Sequence, residues 1–154
     1  YFRYVLRFQS QIVGMNGEEI YNEFIREDLP NFMGEGFEEI AYEFFEKLNR
    51  EDKLPGFVHS YSRWWGNNPL EKREEEIDLI GEGKDFSIFG EIKWRNRDFD
   101  MSELEKLINK SRFAPVNQSN SYYIIFTKQN FSSEVEDLIE NDKKIIGYSF
   151  VTDF

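Results

Sequence analysis

The alternation of apolar and polar positions along the chain predicts both helices and strands. Apolar side chains recur every three or four residues, the spacing of one buried helical face, in segments 36–49, 100–111 and 132–142. A shorter helix is predicted over residues 17–30, and Pro30 is expected to end it, because proline has no backbone N–H to donate.

Two of these helices begin with the pattern of a capping box, a hydroxyl or carboxyl side chain followed three residues later by glutamate. The pairs are Asp100 with Glu103 and Ser133 with Glu136. Capping boxes satisfy the free N–H groups of a first helical turn, so both helix starts are expected there.

Strand-like alternation, or a short continuous apolar run, marks five further segments. They are residues 56–66, 75–80, 86–94, 121–127 and 143–151. The first three follow one another through short turns and are expected to be antiparallel, whereas a helix before each of the last two implies parallel crossovers. The expected fold is therefore α/β, a three-layer α/β/α sandwich with a mixed central sheet.

Composition narrows the kinds of site that the chain can carry. The 154 residues are 40% hydrophobic and include no cysteine, which excludes disulfides, thiolate zinc sites and cysteine nucleophiles. No apolar run reaches the length of a bilayer and no signal-peptide pattern opens the chain, so we expect a cytoplasmic protein with no membrane partner. The first residue is Tyr1 rather than Met, which indicates a piece of a longer polypeptide.

The net charge of −11 argues against nucleic acid as a partner, because phosphate binding usually requires a basic surface. A local exception is a five-residue stretch in which Lys93, Arg95 and Arg97 occur without an acid. A solvated loop explains these arginines, and contact with nucleic acid is the alternative. Lys106 and Lys110 are candidates for contact with a nucleic-acid backbone, but nearby glutamates favour a solvated helix face for both.

Charged residues alternate with apolar ones in the second and third predicted strands. Alternation places Asp78 on the same face as Ile80 and opposite Ile77, and it places Glu91 beside Lys93. A solvated hairpin face is one explanation, although facing carboxylates repel each other. A divalent cation between the two carboxylates is the other, since hard cations take oxygen ligands and Mg²⁺ needs only one or two carboxylates from a protein. Lys93 would then reach a phosphate or an attacking water.

Asp78, followed after twelve residues by Glu91-Ile92-Lys93, resembles the PD-(D/E)XK motif of restriction-endonuclease-like folds. The resemblance implies that Asp78, Glu91 and Lys93 are catalytic. It also implies that the two carboxylates and the backbone carbonyl of Ile92 hold Mg²⁺ or Mn²⁺. Many members carry a further glutamate on the preceding helix, and Glu38 lies at the rim of the apolar stripe there. It is implied as a supporting metal ligand, with a solvated helix-start glutamate as the alternative.

A narrower similarity is to the C-terminal domain of archaeal and bacterial DEXX-box ATPases. The segments that carry it are FRYVLRF, GFEEIAYEFF, SRWWG, EIDLI and FGEIKW. In that family an AAA-type ATPase module and a winged helix precede a nuclease-like domain. The similarity implies that residues 1–33 are an extension or linker from a preceding domain and that residues 34–154 are the nuclease-like domain. ATP would bind only in the region before this chain.

The expected function is metal-dependent hydrolysis of nucleic-acid phosphodiester bonds, with DNA favoured over RNA. The alternative is a non-catalytic interaction or regulatory module that couples the ATPase to a partner or to its own homo-oligomer. The net charge of −11 favours the module. The presence of Asp78, Glu91 and Lys93 together favours the enzyme, because a decayed site usually loses at least one of the three.

Overall fold

The computed structural model describes residues 14–27 and 29–154, so the segment FRYVLRF lies outside the described residues. The chain divides into two compact units, one that ends at Glu39 and one that begins at Ile40. In the first unit, α1 (Gly17–Ile20) leads into a π-helical segment (Tyr21–Ile25) and then into the first part of α2 (Leu29–Arg50).

Pro30 does not end a helix. It is the second residue of α2, where its missing N–H costs nothing because the first four N–H groups of a helix have no intrahelical partner. The predicted helix end at Pro30 is therefore wrong, and α2 begins earlier than the apolar stripe indicated. The predicted domain boundary between residues 33 and 34 falls within this helix.

Residues 40–154, all of which are described, contain a five-stranded mixed sheet in the order β1-β2-β3-β4-β5. The strands are β1 (Val58–Asn68), β2 (Arg73–Gly83), β3 (Ser87–Lys93), β4 (Ser121–Thr127) and β5 (Ile145–Ser149). The first three are antiparallel, and β3, β4 and β5 run parallel. The parallel crossovers contain α3 (Met101–Ser111) and α4 (Ser133–Asn141).

Helices cover both faces of this sheet. On one face, Leu107 of α3 packs with Phe89 of β3, and Val135 of α4 packs with Ile125 of β4. On the other face, the part of α2 from Ile40 onward places aromatic rings edge-on against the sheet, with centroids 6.2 and 5.0 Å apart. These contacts join Phe44 to Phe126 and Tyr148. The predicted three-layer α/β/α sandwich with a mixed sheet is confirmed.

Strand β2 is bulged at Asp78 and Leu79. Its pairing with β1 shifts by one residue between Ile80 and Ile77, so two residues of β2 lie opposite one residue of β1. Ile77 and Ile80 consequently belong to the same hydrophobic cluster. The prediction that they face opposite sides of the sheet is wrong, because strict alternation fails at a bulge.

The helix ends follow local side-chain chemistry. Asp100 and Glu103 form the predicted capping box at the start of α3. The N-cap of α4 is Ser132 rather than the predicted Ser133, and its side chain accepts a hydrogen bond from the N–H of Val135. No helix in the described part of the chain is both long enough and apolar enough to cross a bilayer.

Candidate functional site

A cleft of about 340 Å³ opens beside the carboxyl end of β3. One wall is the outer part of the β1–β2 hairpin, residues 63–77, which we call the hairpin arm. The arm extends beyond β3 because β2 pairs with β3 only over residues 79–82. The opposite wall is α3, and β3 with the loop after it forms the floor.

The lining of this cleft is basic although the chain is acidic. Among residues 40–154, all described, six cationic side chains and four glutamates line it, a local balance of +2 against −11 for the whole chain. The six cations are Arg73, Lys93, Arg95, Arg97, Lys106 and Lys110. Positive charge concentrated in a concave site focuses the electrostatic field and attracts anions such as phosphate.

Glu91 lies in the floor of the cleft with each carboxylate oxygen held by an ammonium group. Its Oε1 lies 2.7 Å from Nζ of Lys93, two residues further along the same face of β3. Its Oε2 accepts a hydrogen bond of 2.6 Å from Nζ of Lys110, which comes from α3. The Glu91 side chain is only 8% exposed, so both ion pairs are largely removed from water.

Asp78 lies beside this cluster, on the bulge of β2. Its Oδ2 accepts a hydrogen bond of 2.8 Å from the backbone N–H of Ile92, and its backbone carbonyl accepts one of 2.6 Å from the Tyr42 hydroxyl. Regular pairing between β2 and β3 stops at Leu79, so the Asp78 carboxylate replaces the main-chain acceptor that Ile92 would otherwise meet. Asp78 does not line the cleft.

Burial and the neighbouring charges of the cluster shift the pKa values of Asp78 and Lys93. Burial raises the pKa of Asp78 to about 6, and the negative charge of Glu91 adds to the rise; the Ile92 N–H, Lys93 and Lys110 oppose it. Burial alone would lower the pKa of Lys93, but the charge and hydrogen bond of Glu91, with the charge of Asp78, raise it overall. Lys93 therefore stays an ammonium at neutral pH.

The donors of this cluster suit a hard divalent cation. Asp78 and Glu91 supply carboxylates, and the Ile92 carbonyl faces β2 as its N–H does, because the two groups of a strand residue point to the same neighbour. In the described ranges, no three His, Asp or Glu side chains group closely enough to hold a metal by side chains alone. Mg²⁺ requires only one or two protein carboxylates and completes its shell with water and substrate. The residues present fit Mg²⁺ or Mn²⁺.

The remaining predicted site residues are Glu38, Arg95 and Arg97. Glu38 lies in α2 within the unit that ends at Glu39, and its role as a metal ligand stays a prediction. Arg95 and Arg97 line the cleft and form ion pairs with Glu103 of α3, that of Arg97 at 3.9 Å. Arg97 is 69% exposed, as a solvated loop predicts, whereas Arg95 is only 24% exposed. Contact of either arginine with nucleic acid stays a prediction.

Lys110 is the residue of the cluster whose role the sequence did not indicate. It was expected on a solvated helix face with Lys106, but its side chain is 14% exposed and contacts Glu91, so that expectation is wrong for Lys110. A signal was available: Lys110 comes three residues after buried Leu107, at the edge of the apolar stripe. A long side chain at such an edge can extend towards the sheet with its stem covered.

Comparisons with known proteins relate the chain to archaeal and bacterial sequences. The model of the DUF234 family, described as archaeal and bacterial proteins of unknown function, matches residues 1–108. The chain is 33% identical over 144 residues to the uncharacterized protein MJECL04 of Methanocaldococcus jannaschii. That alignment covers 90% of this chain and about 30% of the relative's length. A crystal structure of AF1548, a protein of unknown function, aligns with a TM-score of 0.42 and 20% identity, over 61% of this chain and 52% of AF1548.

Proposed function

The chain belongs to the DUF234 family of archaeal and bacterial proteins, and we propose that its second unit is a metal-dependent nuclease domain of the PD-(D/E)XK type. On this proposal the domain serves a longer cytoplasmic chain with an AAA-type ATPase and a winged helix, and ATP binds in that other part. Its substrate is nucleic acid, with DNA favoured over RNA.

One observation carries the proposal. The Asp78, Glu91 and Lys93 side chains occupy one cluster at the floor and edge of a cleft whose lining is net positive in a protein of net charge −11. Structural ion pairs alone do not require a basic cleft. A site for a phosphodiester does, because affinity for nucleic acid comes mainly from cations that contact phosphate.

Each residue has a chemical role in the proposed hydrolysis, in which a water oxygen bonds to phosphorus as a phosphorus–oxygen ester bond breaks. Asp78, Glu91 and the Ile92 carbonyl are the metal-binding groups. Bound Mg²⁺ or Mn²⁺ would supply Lewis-acid polarisation and a more acidic water. Lys93, held as an ammonium by Glu91, donates hydrogen bonds to the phosphate oxygens on which negative charge develops. Arg95 and Arg97 bind neighbouring phosphates of the strand.

The alternative is a non-catalytic module that retains this fold. It is favoured by the ion pairs that occupy both oxygens of Glu91 and by the position of Asp78 outside the cleft lining. A module of this kind would bind its partner without changing any covalent bond, so binding and cleavage must be measured separately.

The test is incubation of the domain with end-labelled single-stranded DNA, duplex DNA and RNA, each with millimolar Mn²⁺ and with chelator. The proposal predicts shortened products with Mn²⁺ only, and binding that weakens steeply as salt rises. Intact substrates in every Mn²⁺ reaction would contradict the nuclease proposal. Retained binding in that case would favour the interaction module.

A further inference from the structure

Glu91 is paired twice, and the two lysines come from different elements. Lys93 belongs to the same strand, whereas Lys110 reaches across from α3. The side chains of Glu91 and Lys110 are 8% and 14% exposed, so this ion pair lies largely out of water. A carboxylate buried to that degree requires a cation beside it, since an uncompensated buried charge strongly destabilises a fold.

The charges of the cluster balance without metal. Asp78 and Glu91 contribute two negative charges, and Lys93 and Lys110 contribute two positive ones. A divalent cation added to this set would leave an excess of +2, which two phosphodiester groups of a bound strand, each with one negative charge, would offset. Both carboxylate oxygens of Glu91 already contact an ammonium group, Oε1 that of Lys93 at 2.7 Å and Oε2 that of Lys110 at 2.6 Å, so a metal ion that binds Glu91 competes with these lysines.

The Lys110 ammonium also has a second possible contact besides Glu91, a phosphate group bound in the cleft. Its side chain lines the basic cleft, so an ammonium released from Glu91 remains beside the path of a bound phosphate. Lys106 offers a contrast on the same helix, one turn earlier. It lines the same cleft and is exposed, and among the described residues it makes no ion pair with an acid.

We propose that Lys110 is an exchangeable counter-charge that holds Glu91 in the metal-free protein and leaves it for a substrate phosphate when a divalent cation binds. This inference rests on the proposed function and adds a regulation to it. Metal and Lys110 compete for Glu91, so metal binding is weak until a phosphate group attracts Lys110. Because coupling between two ligands is reciprocal, metal equally strengthens the binding of nucleic acid. On this inference Lys110 positions Glu91 in the metal-free protein and contacts the phosphate once metal is bound.

The experiment measures Mn²⁺ affinity without nucleic acid, by electron paramagnetic resonance of free Mn²⁺, for wild type, Lys110→Met and Lys106→Met. The inference predicts an affinity about tenfold higher for Lys110→Met, within the usual range of coupling between sites. Lys106→Met removes a charge from the same cleft and should stay within about twofold of wild type, the general electrostatic effect of one exposed lysine.

Saturable binding with equal affinity in wild type and Lys110→Met would overturn the inference alone. No saturable binding in any of the three proteins would overturn the proposed function, and this inference with it. If Lys110→Met does not fold, the ¹⁵N signal of the Lys110 ammonium in wild type decides the question during a Mg²⁺ titration. A signal that moves as Mg²⁺ binds supports the exchange. A signal that stays unchanged while Mg²⁺ binds contradicts it.

Discussion

Asp78 lies where burial and the charge of Glu91 both oppose its ionisation, and its pKa is raised from 3.8 to about 6. The folded protein therefore takes up a proton at this carboxyl more readily than the unfolded chain does. Ionised Asp78 destabilises the fold, and this penalty is fully present above about pH 6. It disappears as the pH falls towards 3.8, the ordinary value of the group.

Asp78→Asn is accordingly expected to stabilise the metal-free protein near neutral pH. The side-chain oxygen of asparagine still accepts the hydrogen bond of the Ile92 N–H, while the opposed charge is gone. The gain in the free energy of unfolding should be about 1–3 kcal/mol at neutral pH, at ~1.4 kcal/mol per pKa unit, and small near pH 4. Urea denaturation with chelator at both pH values measures it.

The matched control is Asp85→Asn, an exposed carboxylate in the turn between β2 and β3. This substitution should change the free energy of unfolding by no more than about 0.5 kcal/mol at either pH. A destabilised Asp78→Asn at neutral pH would mean that Asp78 is a structural hydrogen-bonding residue, and the electrostatic account of the cluster would be wrong.

The site residues differ in how far the sequence could identify them. Glu91 and Lys93 are two positions apart in one strand, so their shared face follows from local geometry. The Asp78 side chain points towards Ile92 because β2 is bulged there. A bulge reverses the face on which every later residue of the strand lies, so strict alternation could not predict this contact. Lys110 meets Glu91 only because α3 packs on β3, a long-range contact that no local pattern encodes.

Helix α3 is the element that links the fold to the cleft. Its first turn is fixed by the capping box, in which Asp100 accepts from the N–H of Glu103 at 3.1 Å and Glu103 accepts from the N–H of Asp100 at 3.2 Å. The Glu103 side chain, 10% exposed, also pairs with Arg95 in the loop after β3. One carboxylate thus holds the helix start and a basic side chain of the cleft floor.

Glu103→Ala should lower the free energy of unfolding by about 1–3 kcal/mol, because it removes half of the capping box and leaves the Arg95 charge without its partner. Glu103→Gln should cost less, since glutamine completes a capping box but cannot neutralise Arg95. Thermal unfolding of both variants measures the difference. The control is Glu105→Ala on the exposed face of α3. Equal losses of stability in Glu103→Gln and Glu103→Ala would show that the capping box contributes nothing to the free energy of unfolding.

Among the elements, types could be predicted well and boundaries less well. The strand predicted over residues 121–127 matches β4 at both ends, because a buried central strand shows as a continuous apolar run. The start of α2 was misjudged, since proline is as compatible with a first helical turn as with a helix end. The α4 cap fell on Ser132 because two adjacent serines offer the same hydroxyl chemistry.

At the scale of the whole molecule, the net charge is negative whereas the charge of the cleft lining is positive, so the two give opposite indications about binding to nucleic acid. A total of −11 argued against nucleic acid, but the described cleft carries a balance of +2. Composition reports only the sum, whereas binding depends on the field within a concave site. The acidic remainder of the surface would limit non-specific binding and leave the cleft as the place where phosphate is attracted.

The central claim is that Lys93 acts on a phosphate in a metal-dependent cleavage reaction. The measurement that tests it most directly is the Mn²⁺-dependent rate of nucleic-acid cleavage by wild type, Lys93→Ala and Lys84→Ala, purified in parallel and matched in thermal stability. Lys84 is an exposed lysine in the β2–β3 turn, so its variant should cleave as wild type does. Lys93→Ala should lose about 10²–10³-fold in rate, the usual effect of removing a donor to developing negative charge. Equal rates in wild type and Lys93→Ala would contradict the claim, because the cleavage would then come from another source.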